Sequence, residues 1–356
     1  MKQGQSKKIR QRDSAINRCR KTGERNNVIG AVNGARTRDL RLGKPTLYQL
    51  SYYRVDCDCE DSHFFNRSFR KTPGFYNFAV MTPIRIDISD YVHSGEGANG
   101  ESLYHRTDPN TMIKLYNATA PREIIENELV FAHKVYSLGI PSPEPGEFVT
   151  DGNGRFGIRF KRIPDKISIS RATGEHPERV EEYARRFARL CRKLHATHLP
   201  QGEFPDIKEY YHSILRSLVI YTPAERAYLE KVIDEAPDGD IALHGDLQFS
   251  NAIMSGDRDY LIDLGDFACG SPLFDLGMVL FTCIYDDPTF MREAFHMEPE
   301  TARVFWHYFV MEYYGEDADE DAIEAELRPY AAAKLLIIER NSGVALQHYH
   351  WLLQQP

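Results

Sequence analysis

Asp246, Asn251 and Asp263 sit close together in a chain of 356 residues, next to two short apolar runs. The first run, Ile241-Ala242-Leu243, leads into His244-Gly245-Asp246-Leu247-Gln248-Phe249-Ser250-Asn251. The second, Tyr260-Leu261-Ile262, leads into Asp263-Leu264-Gly265-Asp266. Carboxylate and amide oxygens are hard donors of the kind Mg²⁺ prefers, alongside waters and phosphate oxygens. Phosphoryl transfer needs little covalent help from a protein; it needs positioning, and cations that offset charge on the phosphate oxygens. In that chemistry Asp263 bridges Mg²⁺ to the phosphates, and Asn251 offers a neutral oxygen to the same or a second ion. Asp246 accepts the hydrogen of an attacking hydroxyl and holds its oxygen in line. Asp266 is a candidate contact for a second metal. No step asks for a Cys or Ser nucleophile, and His244 reads as a ring that braces the loop.

These side chains need a frame. An Asp at the end of each of two short strands, with a tight hairpin between, is expected to aim both carboxylates from one edge into one cleft. Upstream, Ile84-Arg85-Ile86-Asp87-Ile88 alternates like a half-buried strand. A glycine-rich turn, Gly95-Glu96-Gly97-Ala98-Asn99-Gly100, follows. Leu103–His105 and Thr111–Tyr116 read as further strands, with Asp108-Pro109-Asn110 as the turn between them. A helix opens at Pro121, carries Ile124, Ile125, Leu129, Ala132 and Val135, and ends at Gly139. Strands near Gly146–Thr150 and Phe156–Ile163 flank the turn Asp151-Gly152-Asn153-Gly154. Beyond that the chain turns mostly helical: Pro177–His195, Tyr210–Val219, Ala224–Glu235, Phe274–Ile284, Thr301–Tyr314 and Ala318–His348. The expected architecture is α+β and two-lobed, with a small antiparallel-sheet lobe over 81–163 and a mainly helical lobe over 164–356.

The order His-x-Asp-x4-Asn matches the catalytic loop of protein kinases, and Asp263-Leu264-Gly265 stands where those enzymes carry Asp-Phe-Gly. His244–Asn251 followed by Leu261–Asp266 resembles the aminoglycoside phosphotransferase and choline kinase-like family, small-molecule kinases of the protein-kinase fold. Arg192–Thr197 and Ser271–Gly277 resemble it too, and the likeness covers most of residues 84–285 in order. It implies a protein-kinase-like fold, with Mg²⁺ as cofactor, ATP (or GTP) as co-substrate and a hydroxyl of a small polar molecule as acceptor. It implies that Asp275 supports the catalytic loop and that Lys114 pairs with the α- and β-phosphates. Glu128 would hold Lys114, with Glu126 as rival because helix phase is open. Gly95, Gly97, Asn99 and Gly100 would lie over the phosphates, where missing side chains let N–H groups approach an anion. Adenine would meet the backbone near Phe160–Ile163. Taken alone, Lys114 reads equally as a solvated strand lysine, and the glycines as an ordinary hairpin turn. The acidic run from Glu312 to Glu326 fits either a pocket for a cationic acceptor or a solvated helix start.

Bulk properties bound the alternatives. Net charge is -8, but residues 1–80 carry 17 Lys/Arg against 7 Asp/Glu. A basic arm of this kind fits nucleic-acid binding. The reading preferred here is that 1–80 stand outside the domain, as a disordered or spurious extension ahead of Met81. No apolar stretch is long enough to span a membrane and no secretory signal is evident. The six cysteines form no CxxC pair, so a reduced, cytoplasmic protein is expected. No protein partner is expected. The rival to an enzyme is a catalytically silent nucleotide-binding regulator of the same fold. A protein kinase fits less well, because Asp275 follows Asp263 without an Ala-Pro-Glu motif between them.

Overall fold

A computed structural model describes residues 81–97 and 100–354. The reading of 1–80 as an extension therefore falls outside the described residues, as does Asn99. The described chain is a two-lobed α+β fold.

The first lobe is a six-stranded sheet in the order β1-β5-β6-β4-β3-β2. Its strands are β1 (Ile84–Arg85), β2 (Tyr91–Gly97), β3 (Gly100–His105), β4 (Thr111–Tyr116), β5 (Pro145–Thr150) and β6 (Phe156–Lys161). The run through Ile88 is not the first strand of the meander, as its alternation suggested. Only Ile84–Arg85 is extended, and it lies parallel to β5 at the sheet edge. Asp87 accepts from the Ser89 N–H and starts a single 3-10 turn, which ends the strand. Tyr91–Gly97 takes the meander position instead, antiparallel to β3. The two turns form where expected. Asp108 accepts from the Asn110 N–H at 2.9 Å, and Asp151 from the Asn153 N–H at 2.7 Å. Ile113, Leu115 and Ile158 are fully buried; each contributes roughly 1.5–3 kcal/mol by leaving water.

Helix α1 (Arg122–Ser137) packs across β5 and β6 through Ile125 and Leu129, while Ala132 and Val135 join the core of the helical lobe. It ends where Gly139 takes a left-handed φ of 75°. After β7 (Ile167–Ser168) come α2 (Ile169–Glu175), α3 (Val180–His195), α4 (Ile207–Ser217) and α5 (Pro223–Glu235). The stripe Tyr183, Phe187, Leu190, Leu194 of α3 is buried, with Phe187 against Phe305 and Phe309 of a later helix at ring distances of 6.0 and 5.6 Å. α5 starts on a reciprocal cap between Thr222 and Glu225.

Two short ribbons interrupt the helices. β8 (Ile241–Leu243) pairs with β11 (Ala268–Gly270), and β9 (Ala252–Ser255) pairs with β10 (Arg258–Leu261) on one edge and with β7 on the other. The strands before Asp246 and Asp263 thus belong to different ribbons, not to one hairpin. The hairpin joins Asn251 to Asp263 instead. Helices α6 (Leu273–Leu280), α7 (Pro288–Ala294), α8 (Pro299–Tyr314), α9 (Glu320–Ala333) and α10 (Leu335–Ser342) complete the lobe. α6 widens at its end into a π-helical turn, Phe281–Tyr285. The periodicity over Ala318–His348 suggested one helix; it is broken at Lys334, whose side chain turns inward and is buried. Among the described residues, no helix is long and apolar enough to cross a membrane.

Candidate active site

The catalytic-loop residues are fixed by one buried carboxylate. Asp275, in the first turn of α6, is 1% exposed. It accepts from the backbone N–H of His244 at 2.7 Å, from that of Gly245 at 3.0 Å and from His195 Nε2 at 3.2 Å. Charge-assisted bonds of this kind are roughly twice as strong as neutral ones. Two consecutive N–H groups can turn toward one carboxylate because Gly245 adopts φ +79°; a Cβ there would stand 2.0 Å from the Asp266 carbonyl oxygen. His244 braces the next layer. Its Nδ1 accepts from the Asp246 N–H at 3.3 Å and its Nε2 donates to the Ile262 carbonyl at 2.9 Å, which selects the Nε2–H form of the ring.

Asp246 emerges from this bracing into a half-buried position. Asn251 donates to its backbone oxygen at 2.9 Å and to Oδ2 at 3.1 Å, and Gln248 donates to Oδ2 at 3.1 Å. Lys334 donates to Oδ1 at 2.7 Å. Burial pushes the Asp246 carboxyl up, but the Lys334 ammonium, with help from the Asn251 amide, brings it below the ordinary carboxylate range.

Asp263 lies across the hairpin from Asn251, tied there by the bond from the Ile262 N–H to the Asn251 carbonyl. It holds a left-handed backbone, φ 66° and ψ 56°, uncommon for a residue with a side chain. Its carboxylate accepts from Lys114 Nζ at 2.5 Å, and the same ammonium donates to Glu128 Oε1 at 2.7 Å. One lysine from β4 therefore joins α1 of the sheet lobe to a loop of the helical lobe. Burial works against the Lys114 charge, yet the two carboxylates beside it hold its proton well above the usual lysine range. The partner of Lys114 is Glu128; Glu126 turns away and pairs with Arg122 at 2.8 Å.

The remaining candidates divide. Gly95 has nothing near the place a Cβ would occupy, so packing does not demand glycine there. Gly100 is demanded by packing, since its Cβ would stand 2.1 Å from the Leu115 carbonyl of β4. Gly97 faces Gly100 across the β2–β3 turn. Phe160 sits within β6 opposite Met112. After it, the Lys161 and Arg162 N–H groups bond to Glu144 and Asn110. Ile163 is the next residue along, and its N–H has no protein acceptor among the described residues. Asp266 accepts from Tyr210 OH at 2.5 Å, which in turn accepts from Arg340 at 2.6 Å, so its oxygen serves a structural network.

The donor set fits Mg²⁺. Asn251 turns its amide N–H groups to Asp246, which leaves the amide oxygen for a cation. Asp263 is 45% exposed and carries a second oxygen besides the one on Lys114. Among the described residues no three His, Cys, Asp or Glu form a metal cluster.

The acidic run does not reach this site. Glu312 meets Arg185, Arg189 and Arg192 at 3.6, 3.2 and 3.9 Å, and Glu316 meets Arg185 at 2.6 Å. The residue that sequence reasoning missed is Lys334. It interrupts the apolar run Ala331-Ala332-Ala333-Lys334-Leu335-Leu336-Ile337-Ile338, and a lone charge at a core-facing position was the available signal.

A family model described as a phosphotransferase enzyme family matches residues 96–306. Among solved structures, a thermostable mutant of aminoglycoside phosphotransferase APH(4)-Ia, in ternary complex with ADP and hygromycin B, shares 13% identity. It covers 74% of this chain and 91% of its own, with a TM-score of 0.52. A second structure of APH(4)-Ia matches at 12% identity, covering 74% of this chain and 90% of its own, with the same TM-score. A choline/ethanolamine kinase family protein from Mesorhizobium loti matches at 16% identity, 82% and 95% coverage and a TM-score of 0.46. No curated protein matches the chain in sequence.

Proposed function

Because the chain belongs to the phosphotransferase enzyme family, we propose that it transfers the γ-phosphoryl group of ATP to a hydroxyl of a small molecule. The observation that carries this reading is the Lys114 bridge, with Glu128 at 2.7 Å and Asp263 at 2.5 Å. It brings a phosphate-binding cation and a metal-binding carboxylate to the same place, beside the loop that bears Asp246.

Lys114 binds the phosphates of ATP, and Glu128 keeps its ammonium aimed from the sheet lobe. The Ile163 N–H and the backbone beside Phe160 meet the adenine. Gly95 leaves room for backbone N–H groups above the phosphates. Asn251 and Asp263 would hold Mg²⁺, with Asp266 as a supporting group; when bound, the ion offsets charge on the β- and γ-phosphate oxygens. Asp246 accepts a hydrogen bond from the acceptor hydroxyl and holds its oxygen for attack. Its lowered pKa makes it a weak base, which suits a loose transition state in which the proton leaves late. Asp275 acts at one remove, by fixing the loop through the His244 and Gly245 N–H groups.

Calorimetric titration with Mg-ATP, with and without Lys114→Met and Asp263→Asn, tests the assignment. Wild type binds, and Lys114→Met weakens binding at least about tenfold, the loss of one charge-assisted contact of about 1.4 kcal/mol. Asp263→Asn weakens Mg-ATP binding more than it weakens binding of ATP in EDTA. Equal affinity in all three proteins refutes the assignment.

A further inference from the structure

We propose that the pocket beside Asp246 is the acceptor site and that it takes an uncharged alcohol with a compact hydrocarbon body, not a polycation. This rests on the phosphotransferase reading and narrows it to a substrate class.

The pocket opens between the catalytic loop and the elements that follow α6, and its cavity volume is about 50 Å³. One water needs roughly 10–15 Å³ of such space, so the cavity takes the hydroxyl end of a guest and a few carbon atoms beside it. Its exposed wall is mostly hydrocarbon, from Phe281, Phe290, Phe295, Ile337, Ile338 and Leu346, with Gln248 and Asn341 as neutral polar groups in the lining. The π-helical turn Phe281–Tyr285 carries Phe281 and Thr282 into this lining; such turns recur at functional sites. Apolar walls favour an apolar guest because both lose water on contact.

One acid and the one lysine of the lining offset each other. Asp246 is paired with Lys334 at 2.7 Å. The other acid, Asp286, accepts from Tyr349 OH at 2.8 Å and from the Asp287 N–H at 2.9 Å. Burial pushes its carboxyl up to about 7, so it is far from fully ionised at neutral pH. Three acidic residues of the run that could recruit a polycation have partners elsewhere: Glu316 meets Arg185 of α3 at 2.6 Å. Glu312 faces Arg185, Arg189 and Arg192, and Glu320 faces His307 at 2.7 Å. None of them lines the pocket.

The reaction closes without another reagent. A lone pair of the acceptor oxygen forms the new O–P bond at the γ-phosphorus. The bond from that phosphorus to the β–γ bridging oxygen breaks, and ADP leaves with the electron pair. The hydroxyl proton goes to Asp246 and then to solvent. As Asp246 takes up that proton its hold on Lys334 weakens, and the ammonium is left facing the new phosphate monoester.

The test is ADP release by the full chain with Mg-ATP, in the presence of 2-phenylethanol, cyclohexylmethanol, choline or hygromycin B. Phosphorus NMR counts the phosphate monoester formed. The proposal predicts that the two neutral alcohols raise ADP release at least about tenfold over water, with one monoester per ADP. Phe290→Asp, which puts a charge in the wall, removes that stimulation. If it does not fold, Ile338→Glu, at a half-buried wall position, takes its place. Stimulation by choline or hygromycin B but by neither neutral alcohol overturns the proposal. So does no stimulation by any of the four in a protein that binds Mg-ATP. A chain that fails to bind Mg-ATP, seen by calorimetry before any alcohol is added, overturns the phosphotransferase reading itself.

Discussion

Replacing Lys334 by methionine keeps the hydrocarbon stem and removes one charge from a buried pair. The two side chains are 8% and 18% exposed and meet at 2.7 Å. Deleting one partner of a buried ion pair leaves an uncompensated charge and costs roughly 3–5 kcal/mol while that charge persists. The cost depends on pH, and its sign follows from Asp246. In the wild type the folded pKa of Asp246 lies below its unfolded value of 3.8. Its contribution is therefore present above that value and lost as pH falls through the folded pKa. Without Lys334, burial dominates and the folded pKa rises above the unfolded one. The contribution then survives at low pH and is lost as pH rises through the folded pKa. The gap between the proteins should be small near pH 4 and grow toward roughly 3–5 kcal/mol by pH 8. Urea unfolding across that range measures it. The double variant Asp246→Asn with Lys334→Met should recover much of the loss, because no charge is left unpaired. An equal deficit at pH 4 and pH 8, or a double variant whose loss is the sum of the singles, would refute the pairing.

Asp275→Asn replaces the acceptor of two backbone N–H groups with an amide that cannot serve both, so the catalytic loop loosens. Turnover should fall at least about a hundredfold with Mg-ATP affinity changed by less than about threefold; calorimetry and ADP release together decide, and a parallel fall in affinity would contradict the positioning role. Asp286 has its folded pKa raised from 3.8 to about 7. Its contribution is full below pH 4 and lost as pH rises through 7, on the order of 2–4 kcal/mol. Wild-type melting temperature should therefore decline from pH 5 to pH 8 more steeply than that of Asp286→Asn. Matching slopes would show that Asp286 titrates normally.

Much of the site was legible because its chemistry is written in consecutive residues. Asp246, Asn251 and Asp263 each follow or begin a local element, so order along the chain carried the pattern. What failed was the partner of each strand. Ile241–Leu243 and Tyr260–Ile262 look alike, but pairing is decided by residues elsewhere, and β11 had no strong signal of its own. The choice of Glu128 over Glu126 was available in principle. Ile125, Leu129 and Ala132 define the buried stripe of α1, and Glu128 falls on it; Ile124, which is 41% exposed, blurred the phase. The strand expected at Ile84–Ile88 was cut short after Arg85 by a local cap at Asp87, a competition between side chain and ladder that alternation does not record. Lys334 was missed because its partner lies 88 residues away, and periodicity treats a lysine as a surface residue. The acidic run was ambiguous for the same reason: its arginine partners are on α3, a distant segment of the chain.

The central claim is that Asp246 orients a hydroxyl for attack on the γ-phosphorus of ATP held by Lys114, Asn251 and Asp263. Phosphorus NMR of the full chain with Mg-ATP and a panel of neutral, cationic and sugar alcohols follows every phosphorus atom at once. The account predicts that the γ-phosphate signal declines while ADP and a phosphate monoester rise one for one. Asp246→Asn should stop this while still binding Mg-ATP. Monoester formation at the wild-type rate in Asp246→Asn would contradict it.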